Sequence, residues 1–135
     1  MVADTVQVQA FLLCDSVARD QMTGKAIITG VFDRIWCPGF PAVHQSMAAY
    51  IRLRLSGEDG ATRRLQLSIR NPAGVNQNGP ELPVTVPPTN VLESVIVLQG
   101  LPFESEGAYA FELALDGRIL SRFELSVLRQ EPPSA

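Results

Sequence analysis

Histidine and cysteine, the side chains that most often serve as base, nucleophile or transition-metal ligand at neutral pH, are scarce in this 135-residue chain: one histidine, His44, and two cysteines, Cys14 and Cys37. A general base needs a group that orients it and a nucleophile within hydrogen-bond reach. The neighbours of His44 offer only Gln45 and Ser46, so a turn or surface histidine is expected. A transition-metal centre calls for His and Cys at close, regular spacing, which one His and two distant Cys do not supply. Asp15, Asp20, Asp33, Asp59 and Asp116 fall on separate turns. Calcium wants gathered carboxylates, so it would depend on loops brought together at one end of the fold. Gly24-Lys25 is not preceded by GxxxxGK and reads as a turn rather than a phosphate cradle. These residues predict no enzyme, no cofactor and no metal.

Residues suited to binding are more numerous. Trp36 and Phe40 lie in the Pro/Gly segment Trp36-Cys37-Pro38-Gly39-Phe40-Pro41. They serve either as a plug capping one end of the core or as an interface anchor. Asn71, Asn76, Gln77 and Asn78 fall in residues 71–80, read as the longest irregular stretch. Amides donate and accept, which suits sugar or peptide recognition, and they also furnish ordinary long turns. Arg52, Arg54, Arg64 and Arg70 alternate along two segments, 46–56 and 62–70. Paired as a hairpin, those segments would present a basic stripe beside Tyr50, either docking an acidic partner or forming a solvated face that discourages edge pairing.

The elements that must position these residues are strands. Apolar and polar residues alternate with a period of two, as in a sheet with one wet face. Tyr109, Phe111, Leu113 and Leu115 alternate with Ala108, Ala110, Glu112 and Ala114, and Asp116-Gly117 follows. That dipeptide favours a type I′ hairpin turn. The chain returns with Ile119, Ser121, Phe123, Leu125 and Val127 on one face. Near the start, Val6, Val8, Ala10 and Leu12 alternate with Gln7 and Gln9. The segment 25–36 is apolar on both faces and predicts a central strand. Residues 82–86 are bracketed by Pro80, Pro83, Pro87 and Pro88, so they form an edge strand or a loop. Seven or eight short strands predict an all-β fold, a two-sheet antiparallel β-sandwich, with an up-and-down barrel as the alternative.

Size and charge narrow the role. The length suits one domain over residues 1–129, with 130–135 as a disordered tail. A net charge of −3 with scattered arginines argues against nucleic acid, which needs a clustered basic face. No apolar run approaches the roughly 20 residues that span a bilayer, and the N-terminus lacks the pattern of a secretory signal. A cytoplasmic protein is expected. In a hairpin of 5–14 with 25–35, Cys14 marks the closed end and Cys37 lies about 35–40 Å away at ~3.3 Å per residue. Two free thiols follow, because a disulfide needs Cα atoms within about 7 Å.

Phe11-Leu12-Leu13-Cys14-Asp15, then Gly24-Lys25, then Gly30-Val31-Phe32-Asp33-Arg34-Ile35 together resemble a family of small bacterial proteins of unknown function. Gly107-x-Tyr109-x-Phe111 with Asp116-Gly117 extends the resemblance over most of the chain and resembles the hairpins of immunoglobulin-like sandwiches. The resemblance implies a compact β-sandwich in a bacterial, cytoplasmic protein, and it implies no activity. The functional expectation is a non-catalytic module that binds another protein or itself. Phe11, Leu13, Leu120 and Leu128 would supply an outward apolar patch. The alternative is a small-ligand or carbohydrate-binding sandwich using residues 71–80.

Overall fold

A strand that alternates apolar and polar residues is stable only where its apolar face meets another such face. In the computed structural model, which describes residues 6–56 and 60–130, nine strands satisfy that need in two packed sheets. They are β1 (Val6–Arg19), β2 (Ala26–Phe32), β3 (Arg34–Cys37), β4 (Ala42–Leu55), β5 (Thr62–Arg70), β6 (Asn76–Thr85), β7 (Val91–Phe103), β8 (Gly107–Leu115) and β9 (Arg118–Arg129). One sheet has the order β2-β1-β4-β7 and the other β3-β9-β8-β5-β6. Every pair is antiparallel except β3 with β9. The fold is an all-β sandwich, and residues 131–135 of the expected tail lie outside the described residues.

The core fills the space between the sheets. One cluster gathers Leu13, Met47, Phe103, Tyr109, Phe111 and Leu125, and the other Ile51, Leu53, Leu65, Leu113 and Leu115. Phe11 packs against both clusters and meets Phe123 edge-on at 6.2 Å. At one end Tyr109 turns its hydroxyl back to donate to the Ser105 carbonyl at 2.7 Å, while its ring stands edge-on to Phe103 at 4.9 Å. This backbone-tethered tyrosine at a strand start is a hallmark of immunoglobulin-like sandwiches. The β8–β9 hairpin turns as its sequence demands, with Asp116 at φ 50° and Gly117 at φ 83°.

Several sequence expectations are corrected. Residues 25–36 do not form one central strand: the chain breaks at Asp33 and gives two edge strands, one in each sheet. Its two-faced apolarity arises because Phe32 and Ile35 pack on the core while Ile27, Val31 and Trp36 remain exposed. Residues 46–56 and 62–70 do not pair. They are β4 and β5, in opposite sheets, and their apolar faces meet across the sandwich; residues 57–59 lie outside the described set. The irregular stretch is shorter than 71–80, since β6 begins at Asn76 and pairs Asn76 with Arg70 and Asn78 with Ser68. Residues 82–85 belong to that edge strand, as their prolines require.

Two bulges reverse the facing of side chains that strict alternation assigns. Pairing of β1 with β4 shifts between Val8 and Ala10, so the inward series runs Val6, Val8, Phe11, Leu13 rather than through Leu12. Pairing of β8 with β9 shifts between Leu113 and Ala114, which sends Leu120 into the core and leaves Ile119 exposed. One extra residue in a strand flips everything beyond it. The expected outward patch loses three of its four members: Leu13 is fully buried, and Phe11 and Leu120 pack on the core, while Leu128 is half-buried opposite Trp36.

Candidate functional site

Cys14 does not sit at the closed end of the first hairpin. It pairs with Val31 midway along, and the hairpin continues to Arg19 and Ala26. At the position of Asp15 and Gly30 the pairing is interrupted; Gly30 has φ 69°, and a Cβ there would collide with the Asp15 carboxylate. Beyond this point β1 no longer pairs with β4, and the hairpin folds back over the outer face of the four-stranded sheet. Arg19 near its tip forms an ion pair with Glu93 of β7. Under this cover Cys14, Ala48 and Tyr50 are buried although they point away from the main core.

Glu93 is the hub of this outer face. The Tyr50 hydroxyl donates to its Oε2, Arg52 Nη1 stands 3.6 Å from the same oxygen, and Arg19 engages Oε1. Desolvation pushes the carboxyl up, but the Tyr50 hydrogen bond and the two guanidiniums outweigh it and hold Glu93 below the ordinary glutamate range. Desolvation raises the Tyr50 phenol, and its bond to Glu93 raises it further. Arg52 is also anchored by donating Nε to Gln9 at 2.9 Å. Tyr50 and Arg52 thus share a site, while Arg54 lies exposed further along β4, and Arg64 and Arg70 belong to the other sheet. Glu93 was not singled out in the sequence, because a lone glutamate in an apolar strand carries no local signal.

Trp36 lies on β3, not in a loop, opposite Leu128 of β9, and is 58% exposed. It does not plug the core. Phe40 does pack on the core, beneath the Arg129 guanidinium at 5.3 Å. The strand order makes β2 and β3 neighbours in sequence and both edge strands. One stretch of chain, residues 26–37, thereby borders both sheets and exposes Ile27, Val31 and Trp36. The other two edges carry proline: Pro80 and Pro83 on β6, Pro102 on β7. No proline interrupts β2 or β3.

Asn71 begins a tight turn, its side chain accepting from the Val75 amide at 2.9 Å. Asn76 donates its side-chain amide to the Asn78 side-chain oxygen at 2.7 Å along the β6 edge. Asn71 and Gln77 line a hollow of about 160 Å³ with Pro102, Ser105 and Tyr109. Neither Asn76 nor Asn78 reaches it, though Asn78 borders a second hollow beside Leu98.

The single histidine and the two cysteines are dispersed. Cys14 faces outward and donates weakly to the Ala48 carbonyl at 3.6 Å. Cys37 packs in the core between the sheets, so the four-stranded sheet stands between the two. Both thiols are free, and burial pushes both above the ordinary range. His44 is a half-buried strand residue beside Phe32, centroids 6.0 Å apart, rather than a turn or surface residue. Among the described residues no group of three or more His, Cys, Asp or Glu is placed to hold a metal, and no helix is long and apolar enough to cross a membrane.

Residues 9–128 match the model of the family of unknown function DUF6941. The chain belongs to that family. No curated protein sequence matches this DUF6941 member. Among solved structures it is similar to part of the alkylpurine DNA glycosylase AlkC of Pseudomonas fluorescens, bound to DNA containing an abasic site analogue, with a TM-score of 0.62 at 7% identity. That likeness covers 91% of this chain and 30% of the glycosylase. It is similar also to part of a β-glucosidase of Erythrobacter marinus, with a TM-score of 0.60 at 12% identity over 93% of this chain and 16% of that one. An immunoglobulin-like protein of Pseudomonas aeruginosa matches with a TM-score of 0.44 at 16% identity, over 91% of this chain and 96% of the other. At such identities the first two likenesses establish a shared sandwich fold alone. The DUF6941 chain spans less than a third of the glycosylase and of the glucosidase.

Proposed function

We propose that this DUF6941 protein is a non-catalytic, cytoplasmic interaction module that binds a protein, in the first instance a second copy of itself, along the β2–β3 edge. One observation carries the reading: residues 26–37 border both sheets, lack proline, and hold Ile27, Val31 and Trp36 at 49%, 60% and 58% exposure. Unpaired strand edges are templates for added strands, and an exposed tryptophan beside β-branched residues is the composition of an interface anchor. Monomeric sheet proteins commonly guard such edges with proline, as β6 does here.

The test is light scattering coupled to size exclusion over a wide concentration range, for the native chain and for Val31→Lys and Trp36→Glu. All three positions of the edge are exposed, so these variants keep the fold. A native dimer that both variants reduce to monomer supports the reading. A native monomer at every concentration, with Trp36 emission independent of concentration, removes self-association.

A second reading rests on the hollow beside Asn71 and Gln77, whose amides and Tyr109 would orient a small polar ligand or sugar. Saturable binding of a monosaccharide, abolished by Gln77→Ala, would favour it over the edge.

A further inference from the structure

The cavity under the folded-back hairpin is built differently from the edge. It measures about 380 Å³ and is lined by Arg19, Thr23, Lys25, Ile28, Tyr50, Arg52 and Glu93, with the Gly24 and Ala26 backbone between. Three cationic residues and one carboxylate thus line this cavity, in a chain whose net charge is −3. Both oxygens of Glu93 are already engaged. Lys25 forms no ion pair among the described residues, and its ammonium has no hydrogen-bond partner there. The Arg19 guanidinium gives Nη1 to the Gly24 carbonyl at 3.2 Å and to Glu93, which leaves donors unspent, since a guanidinium carries five. Arg52 spends Nε on Gln9, turns Nη1 towards Glu93 and also meets the Tyr50 oxygen, fewer contacts than the five donors a guanidinium carries. Both side chains are nearly half exposed, at 49% and 44%, so these donors are reachable from solvent.

We propose that this cavity binds a small phosphate monoester, its dianionic head held between Lys25 and Arg19 on the hairpin and Arg52 on β4. Guanidinium forks match phosphate oxygens in geometry as well as charge. A phosphate ion alone would fill only part of the space. Ile28 and the Tyr50 ring form an apolar wall against which a short organic body can lie. Glu93 opposes the ligand's charge while fixing both arginines, so it sets a limit on affinity.

Calorimetric titration at constant ionic strength with glycerol phosphate, inorganic phosphate and succinate tests the site. Glycerol phosphate is expected to bind, more tightly than inorganic phosphate and than the dicarboxylate of equal charge. Lys25→Gln, with an unchanged far-ultraviolet spectrum, is expected to weaken it about tenfold or more, as for a lost charge-assisted hydrogen bond. Arg54→Gln, outside the cavity on the same strand, should leave it unchanged. Absence of binding overturns the site. Equal weakening by Lys25→Gln and Arg54→Gln reduces it to general surface charge and also overturns it. Succinate matching glycerol phosphate overturns the phosphate assignment, and inorganic phosphate binding as tightly overturns the monoester.

Discussion

Arg19 and Glu93 are paired across the outer face of the four-stranded sheet, although Glu93 stands level with Ala10, nine residues before Arg19 on the same strand. A straight strand would carry Arg19 about 30 Å past that level at ~3.3 Å per residue. Only a hairpin folded back on itself closes that gap. The ion pair is therefore a latch between the hairpin and the sheet it covers.

Glu93→Ala should release the latch. It leaves the Tyr50 hydroxyl without its acceptor beneath the hairpin and frees Arg19. The expected cost is about 1–2 kcal/mol in the denaturant midpoint, since the pair is half exposed while the phenol is buried. Hydrogen exchange should rise in residues 16–29 far more than in β8 and β9. Uniform exchange across both regions would contradict a local latch.

Acid should weaken the fold through its depressed carboxylates, Glu112 and Glu93 among them. The Arg122 hydrogen bond and charge, with help from Arg70, outweigh burial and hold Glu112 below its ordinary range, and Glu93 is held low likewise. A group whose folded value is depressed stabilises fully above its unfolded value, about 4.3 for glutamate, and loses that contribution as pH falls through the folded value. Melting temperature should therefore be level near neutrality and fall below about pH 4. Glu93→Gln should flatten part of that fall; an identical pH profile would exclude Glu93 as a source.

Gly30→Ala should destabilise the hairpin bend. Gly30 has φ 69°, and an added Cβ would meet the Asp15 side chain. The left-handed conformation alone costs an L-residue about 1–2 kcal/mol, so a midpoint shift of at least that size is expected. Gly30→Ala with Asp15→Ala should recover most of the steric part and keep the conformational part. A neutral Gly30→Ala would show that the bend is not fixed there.

Tyr109→Phe should cost about 1 kcal/mol, the net worth of one hydrogen bond, because the ring still packs on Phe103 while the bond to Ser105 is lost. Trp36→Ala, on an exposed edge, should stay within about 0.5 kcal/mol. Urea titrations of the two variants check the contrast, and the reverse order would place Trp36 in the core.

Cys14 and Cys37 should resist a thiol reagent in the native protein and react only as the fold opens, since both are buried with thiols pushed up by desolvation. The labelling rate should rise with denaturant in step with unfolding. Rapid native labelling of Cys14 alone would report the hairpin lifting from the sheet.

The sequence by itself determined what depends on near neighbours. Period-two alternation is local, so the all-β class followed from it, as did the β8–β9 hairpin from Asp116-Gly117 and the edge position of β6 from its prolines. Tyr50 and Arg52 stood out as surface-binding types, and they do line one cavity. The tertiary structure alone decided which strands pair, because a strand's hydrogen-bonding edge looks alike to every partner. It placed β4 and β5 in opposite sheets, split residues 25–36 between two edges, and reversed Phe11 and Leu120 through single-residue bulges. It also brought Arg19, Lys25 and Glu93 together from positions whose spacing carries no signal. Their meeting depends on one bend at Gly30 and on the sheet face that the bend covers.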